Sequence, residues 1–382
     1  MALRDKLNDM LHPIIVKHVM RAYNKKVEGK FRERPELAKP VDAETTRKHL
    51  ELFSRLGYPC SDKWLRLYSN LTGLVDYTYL PEDLYFACIE RVLNDCNRAG
   101  FEAEDKNQIS VFVDKKYLPK IPLRFIRGYF MDEDYKFLLD TQVDKLLKTN
   151  HGDLIGKVAV ASLGGQGVSC FKFIDGKYVN DRGVVLTSSW IRDNQISYVL
   201  QEKVKQCEFG AKFNPHSANT CRITTLRCPW DGQIVVTKAA MRMGVTETAV
   251  DNMASGGIGV GLGPNGELGE MAFSWLGMKR FDIHPTSGVV FKGEIHPYYK
   301  KMCDVVIDLA AKIPNYNLLS WDVIADVNGD IKIIEVNQIG QGTDIHQFAF
   351  GSFFGKYTEQ VVDWVAAHKK YDYFKHFRTF NY

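Results

Sequence analysis

The sequence predicts an α/β protein in which a mainly helical first hundred residues precede two α+β lobes. Three observations carry this expectation. Apolar residues in the first hundred positions recur at helical spacing. From about Ile109 onward, short β-rich runs alternate with turns and helices. The chain is 382 residues long, and at roughly 150 residues per domain that leaves room for two or three units.

Composition narrows the class. Hydrophobic residues make up 45% and charged residues 25%, as in ordinary soluble globular chains. That excludes a disordered, collagen-like or fibrous protein. Fifty Lys and Arg against 46 Asp and Glu give a net charge of +4, too small an excess to call for a nucleic-acid partner. No apolar run reaches the ~18 residues of a membrane span. The start, MALRDKLNDM, lacks the charged-then-apolar pattern of a signal peptide. The expected location is the cytoplasm. The eight cysteines include no CxxC pair and no zinc-like spacing with His, so they read as packed, reduced thiols. The sequon Asn70-Leu71-Thr72 carries no weight without a secretion signal.

Taken in order, Lys17 to Arg34 is a basic segment. It reads as a solvated helix face, and it is also fit for contact with an anionic membrane surface or a polyanionic substrate. Asp42-Ala43-Glu44 opens a helix. Pro81-Glu82-Asp83 opens another, with acids in its first turn and Leu84, Cys88, Ile89, Val92 and Leu93 at helical period. Cys88 and Cys96 share one face of it. Strands are expected over 109–113, 124–129, 154–161, 170–174, 197–201, 220–226, 233–241 and 321–336. Helices are expected over 141–149, 297–311 and 358–369.

The sharpest motif is Trp321-Asp322 … Asn328-Gly329-Asp330 … Glu335-Val336-Asn337. Asn-Gly between β-formers predicts a two-residue type I′ hairpin. Counting outward sets Asp322 opposite Glu335, with Asn337 on the same face. Two opposed carboxylates repel, whereas a divalent cation turns them into ligands. Two acids and an amide oxygen suit Mg²⁺ completed by phosphate and water. Counted this way, Ile324, Ile331 and Ile333 share that face, so the charges there are buried and need a partner.

Other motifs follow the same chemistry. Ser162-Leu163-Gly164-Gly165-Gln166-Gly167 lies between strands and can bring backbone N–H groups close to phosphate. Gln201-Glu202-Lys203-Val204 ends a strand and can offer backbone groups to an adenine edge. In Asn214-Pro-His216-Ser-Ala-Asn219-Thr220-Cys-Arg222, the arginine sits inside a β-forming run. Lys238, Ala240 and Arg242 share a strand face, and guanidiniums there fit either a phosphate or a buried ion pair. Asp251-Asn252, Gly256-Gly257 and the glycines to Gly263 read as a link or a close approach to ligand. No GxSxG, HExxH or Cys/His nucleophile signature occurs.

In this order, these motifs resemble an ATP-grasp enzyme, and more narrowly the sugar-transfer-associated ATP-grasp proteins of bacterial surface-polysaccharide gene clusters. The resemblance spans roughly residues 80–360. It implies a helical region at 1–105, a small lobe with the Gly-rich loop at 106–200, and a large lobe with the metal site at 201–382. It implies ATP and Mg²⁺, with Asp322, Glu335 and Asn337 holding the metal and Gly164, Gly165 and Gly167 closing over the phosphates. Gln201, Glu202 and Val204 would meet the adenine, and Glu208 the ribose. Arg222 and Arg242 would act in catalysis on the γ-phosphate or an acyl-phosphate. Lys157, and Lys115 or Lys116 in Asp114-Lys-Lys-Tyr, are the lysines available to the nucleotide. The stretch before Asp322, Leu319-Ser320-Trp321, lacks the arginine many relatives place there. The implied reaction joins a carboxylate, of a sugar acid or an amino acid, to an amine through an acyl-phosphate in surface-glycan assembly. A phosphotransferase and a non-catalytic nucleotide-binding module are the alternatives.

Overall fold

The computed structural model describes residues 3–94, 105–159, 167–246 and 256–369. Three helices open the chain: α1 (Leu3–Glu33), α2 (Ala43–Ser54) and α3 (Lys63–Thr72). Asp42 caps α2, its carboxylate accepting from the Thr45 N–H at 2.9 Å. The Pro81 segment is helical from Glu82 to Leu93, with a π-helical turn over Tyr85–Ile89. Glu82 and Asp83 are buried, and Glu82 pairs with Lys26 of α1 at 3.0 Å.

Two seven-stranded antiparallel sheets follow. The first comprises β1 (Leu123–Ile126), β2 (Tyr129–Met131), β3 (Phe137–Leu138), β4 (Leu154–Val158), β5 (Val168–Ile174), β6 (Lys177–Asn180) and β7 (Ser197–Glu202), in the order β3-β2-β1-β7-β4-β5-β6. The second comprises β8 (Cys221–Arg227), β9 (Ile234–Met243), β10 (Ile258–Leu262), β11 (Leu268–Ser274), β12 (Lys279–Phe281), β13 (Leu318–Ala325) and β14 (Ile331–Asn337), in the order β12-β11-β10-β9-β8-β13-β14. One face of the first sheet closes over a small core of Leu123, Phe125, Phe171, Tyr198 and Leu200. The second sheet buries Ile223, Met241, Trp321, Val323 and Ile333 with Met302, Val306 and Leu309 of the helix Tyr299–Ala311.

The N-terminal helices join this larger body. Trp64 and Tyr68 of α3 pack with Ala240, Phe273 and Phe348, and Leu84, Cys88 and Ile89 with Leu226, Leu318 and Val361. Hydrogen bonds fasten the same seam. Gln347 takes the Leu80 N–H at 2.6 Å and donates back to its carbonyl at 3.2 Å, and the Asn94 amide donates to Leu318 and Gln338 at 2.9 and 2.6 Å.

Several local expectations are corrected. Ile109–Phe112 is a helix, not a strand. The glycine-spaced stretch after Gly257 is not a flexible link: Ile258–Leu262 form β10, buried throughout and paired on both sides. Cys96, Gly164, Gly165, Asp251 and Asn252 lie outside the described residues.

Candidate active site

Charged residues on three adjacent strands form one row on the inner face of the second sheet. Asp322 of β13 stands between Arg222 of β8 and Glu335 of β14 in the strand register. Arg222 in turn pairs with Ala240 of β9, so Arg242, two residues on, shares that face.

The Asp322–Glu335 pairing arises by a different route from the expected one. The hairpin loop has three residues, Val327 to Gly329, closed by the Asp326 N–H donating to Asp330 at 2.9 Å. Gly329 takes a φ of 76°, the left-handed conformation such a loop places on glycine. The extra residue shifts the ladder by one, and a bulge between Asp322 and Val323 shifts it back. The bulge also changes the face. Ile331 and Ile333 belong to the apolar core, opposite Glu335, rather than sharing its face as strict alternation implies.

Asp322 is enclosed, with 3% of its side chain exposed. Arg222 grips it with two bonds, Nε to Oδ1 and Nη2 to Oδ2, the latter at 2.9 Å. Arg242 adds a contact at 3.1 Å. Burial pushes the Asp322 carboxyl up, but Arg222, Arg242 and Lys157 outweigh it and hold the group below the usual aspartate range. Lys157 comes from β4 of the first sheet and is itself buried. Beside it, the Lys106 N–H donates to the Ala159 carbonyl at 3.0 Å, just past the end of β4. The Lys106 ammonium reaches Glu335 at 3.0 Å. Four cations from two lobes thus meet two carboxylates, leaving a local surplus of positive charge.

The Asn214–Thr220 segment holds this arrangement. The Asn219 amide donates to Gly210 and Asn214 carbonyls at 2.8 and 2.9 Å, while its oxygen accepts the Gly244 N–H at 3.2 Å. Asn214 donates to Gly244 and Thr246 carbonyls, both at 2.8 Å. The loop is therefore stapled to the end of β9. Thr220 follows, and its hydroxyl oxygen accepts from Arg242 Nε and Nη2 at 3.1 and 2.8 Å. Residues that resembled a recognition motif act here as a bracket aligning Arg242 on Asp322.

The remaining candidates fall into three groups. Gln201 is buried at the end of β7, while Glu202 and Val204 line a cavity of about 730 Å³ with His151, Asp153 and Lys203. This linker is tied to the far end of β13, since Cys207 N–H donates to Ala325 and Val327 N–H to Lys205, both at 2.9 Å. Glu208 is exposed and opens the short helix Glu208–Ala211 beyond it. Gly167 has a φ of 75°, and a Cβ there would meet Val158 Cγ2 at 2.6 Å, so the turn into β5 requires glycine. Lys115 stands apart from the cluster, on an exposed turn where it pairs with Asp134. Lys106 is the site lysine that sequence reasoning missed. It lies outside any strand pattern, and only the fold brings it to Glu335.

A hydrogen-bonded strip continues from the charged row. Ser320, next to Asp322 on the same face, bonds to Thr224 at 3.0 Å and Gln341 at 2.5 Å, and Thr224 meets His346 Nε2 at 3.1 Å. Burial, reinforced by Arg222 and Lys238, pushes the His346 ring down to about 3, so it is neutral.

Asp322, Glu335 and Asn337 offer only oxygen donors, the kind a hard cation takes. Glu335 is one-third exposed and Asn337 is half-buried on the same face. The Asp322 oxygens already take guanidinium bonds, and a carboxylate retains further lone pairs beyond them. Among the described residues, no group of three or more His, Cys, Asp or Glu side chains could hold a metal. Two carboxylates and an amide therefore fit Mg²⁺ only with phosphate and water supplying the rest of its shell.

The class of protein now follows from comparison with known families, and it is ATP-grasp. The matching family pattern, described as sugar-transfer associated ATP-grasp, spans residues 136–362, more than half of the chain, and the chain belongs to that family. No curated protein matches it. Among solved structures it is similar to the ADP complex of N5-carboxyaminoimidazole ribonucleotide synthetase, at 13% identity and TM-score 0.40 over 69% of this chain and 52% of that one. It is also similar to biotin carboxylase from Campylobacter jejuni, at 13% and 0.41 over 70% and 47%. VanG D-Ala:D-Ser ligase from Enterococcus faecalis matches at 12% and 0.38 over 70% and 61%. The chain covers less than two thirds of each of these three proteins.

Proposed function

We propose that this chain is an ATP-dependent carboxylate–amine ligase that forms an amide through an acyl-phosphate, with a sugar-linked substrate in keeping with its family. The observation that carries this reading is the convergence of Lys106, Lys157, Arg222 and Arg242 from two lobes onto Asp322 and Glu335. Such a cluster suits a polyphosphate better than a neutral ligand. Phosphoryl transfer needs positioning and charge stabilisation and no protein nucleophile.

Glu335 and Asn337, with Asp322 facing them, are the residues that would hold Mg²⁺, which when bound offsets phosphate charge. The cavity beside Glu202 and Val204 is the candidate place for the base. Lys157 and Lys106 would steady the phosphates from the first lobe, and Arg222 and Arg242 those nearest the second sheet. A substrate carboxylate oxygen then attacks the γ-phosphorus, and the bond to the β-phosphate oxygen breaks to give ADP and an acyl-phosphate. An amine nitrogen attacks the acyl carbon, phosphate leaves, and the amine proton passes to solvent or phosphate. Splitting the condensation in this way makes each step easier.

The test is incubation with ATP, Mg²⁺ and a panel of amino acids and uronic acids. A ligase releases free phosphate in step with an amide. A stable phosphorylated product would instead mark a phosphotransferase, and ATP retention without turnover a binding module.

A further inference from the structure

The outward face of α1 carries a feature that the catalytic reading does not use. At 3.6 residues per turn, Lys6, Leu7, Met10, Ile14, Lys17, Arg21 and Lys25 fall within an arc of about 100°. All seven are exposed, with Met10 at 66%, Ile14 at 63% and Leu7 at 38%. Asp5 and Asp9 lie off this arc. The first acid on it is Glu28, which pairs with Lys63 of α3 at 2.6 Å. The opposite face of the helix is docked. Val27 packs in the core with Trp64, Tyr23 stacks on Phe86 at 4.4 Å, and His12 bonds the Tyr58 hydroxyl at 2.7 Å. The stripe is therefore held outward by the fold.

We propose that this face of α1 docks the protein on an anionic lipid surface. Its first half supplies apolar side chains that can enter the headgroup boundary. Its second half supplies three cations that meet lipid phosphates, with no acid among them to repel those phosphates. The charge pattern selects this occupant. An uncharged surface leaves Lys17, Arg21 and Lys25 without partners. Self-pairing through the same face sets cations of one copy near those of the other. Among the described residues, no helix is long and apolar enough to cross a membrane, so the contact is peripheral.

The test is co-sedimentation of the full chain with vesicles of phosphatidylcholine alone and of equal parts phosphatidylcholine and phosphatidylglycerol. Binding is expected only to the mixed vesicles, weakening steeply with salt. The triple variant K17E/R21E/K25E should lose at least tenfold in affinity, and M10S/I14S should also bind more weakly. Both variants should unfold at the wild-type temperature, since these side chains are exposed. Equal binding to both vesicle types, or variants that bind like wild type, would overturn the proposal. So would a solution dimer that the triple variant dissociates, since that makes the face a contact between copies.

Discussion

Asp322 is held by two guanidiniums at once, and this sets what its loss would do. Asp322→Asn keeps the shape but leaves Arg222 and Arg242, each only 14% exposed, without their enclosed counter-charge. Breaking a buried ion pair in this way costs about 3 to 5 kcal/mol. Urea unfolding should show a drop of that size, together with loss of ATP-dependent turnover. Glu90 makes a second residue-scale prediction. Burial pushes its carboxyl up to about 7, against the N–H groups of Gln341 and Gly340 and the Tyr85 hydroxyl, which pull the other way. The folded value lies above the unfolded one, so the fold favours the protonated form. Stability should fall as pH rises from about 4.5 through 7, by on the order of 3 kcal/mol. Unfolding curves across that range check it, and Glu90→Gln should remove that fall.

At the scale of elements, the β13–β14 hairpin shows what was legible and what was not. The sequence pattern put Asp322 opposite Glu335, and the fold pairs them. The turn is one residue longer than the pattern predicts, because Asn-Gly also suits the last two positions of a three-residue loop. The compensating bulge places its extra residue at Ile334 and leaves no local mark in a run of Ile and Val, so strict alternation puts Ile331 and Ile333 on the wrong face. β10 escaped for a related reason, since Gly259 and Gly261 hide the strand pattern while their neighbours supply its buried side chains. Lys157 enters the sequence reading only through the family resemblance, as the nearest lysine before the Gly-rich loop. Lys106 does not enter it, because its place depends on a backbone bond to Ala159. Gly329 supplies the prediction here. A Cβ at this position would meet the Tyr298 ring at 2.5 Å in a left-handed backbone. Gly329→Ala should cost about 1 to 3 kcal/mol, read by thermal unfolding.

Across the whole molecule, the two sheets and the N-terminal helices act on one site. The helical region braces the strand and loop around the charged row through Asn94, Glu90 and Gln347. Asn94→Ala would leave the buried Leu318 N–H without the amide oxygen it donates to, while the Leu318 and Gln338 carbonyls lose one of two donors and keep Gln341 Nε2. A buried N–H left unpaired costs about 1 to 3 kcal/mol. The variant should be markedly destabilised under urea, although residue 94 belongs to no strand of either sheet. The helical first region, legible from its periodicity, reads in the sequence as a separate unit. Its integration was not legible, because the contacts that bind it to Leu318 and Gln347 span more than two hundred residues of chain.

Under the proposed function, cations of two lobes and the carboxylates of one hairpin bind a magnesium nucleotide together. Equilibrium titration of ATP into the wild-type chain, with and without Mg²⁺, tests it most directly beside Lys157→Ala and Glu335→Gln. Tight binding of one ATP per chain is expected, with Lys157→Ala at least tenfold weaker and Glu335→Gln no longer responsive to Mg²⁺. Absence of ATP binding, or binding that neither substitution changes, would contradict it.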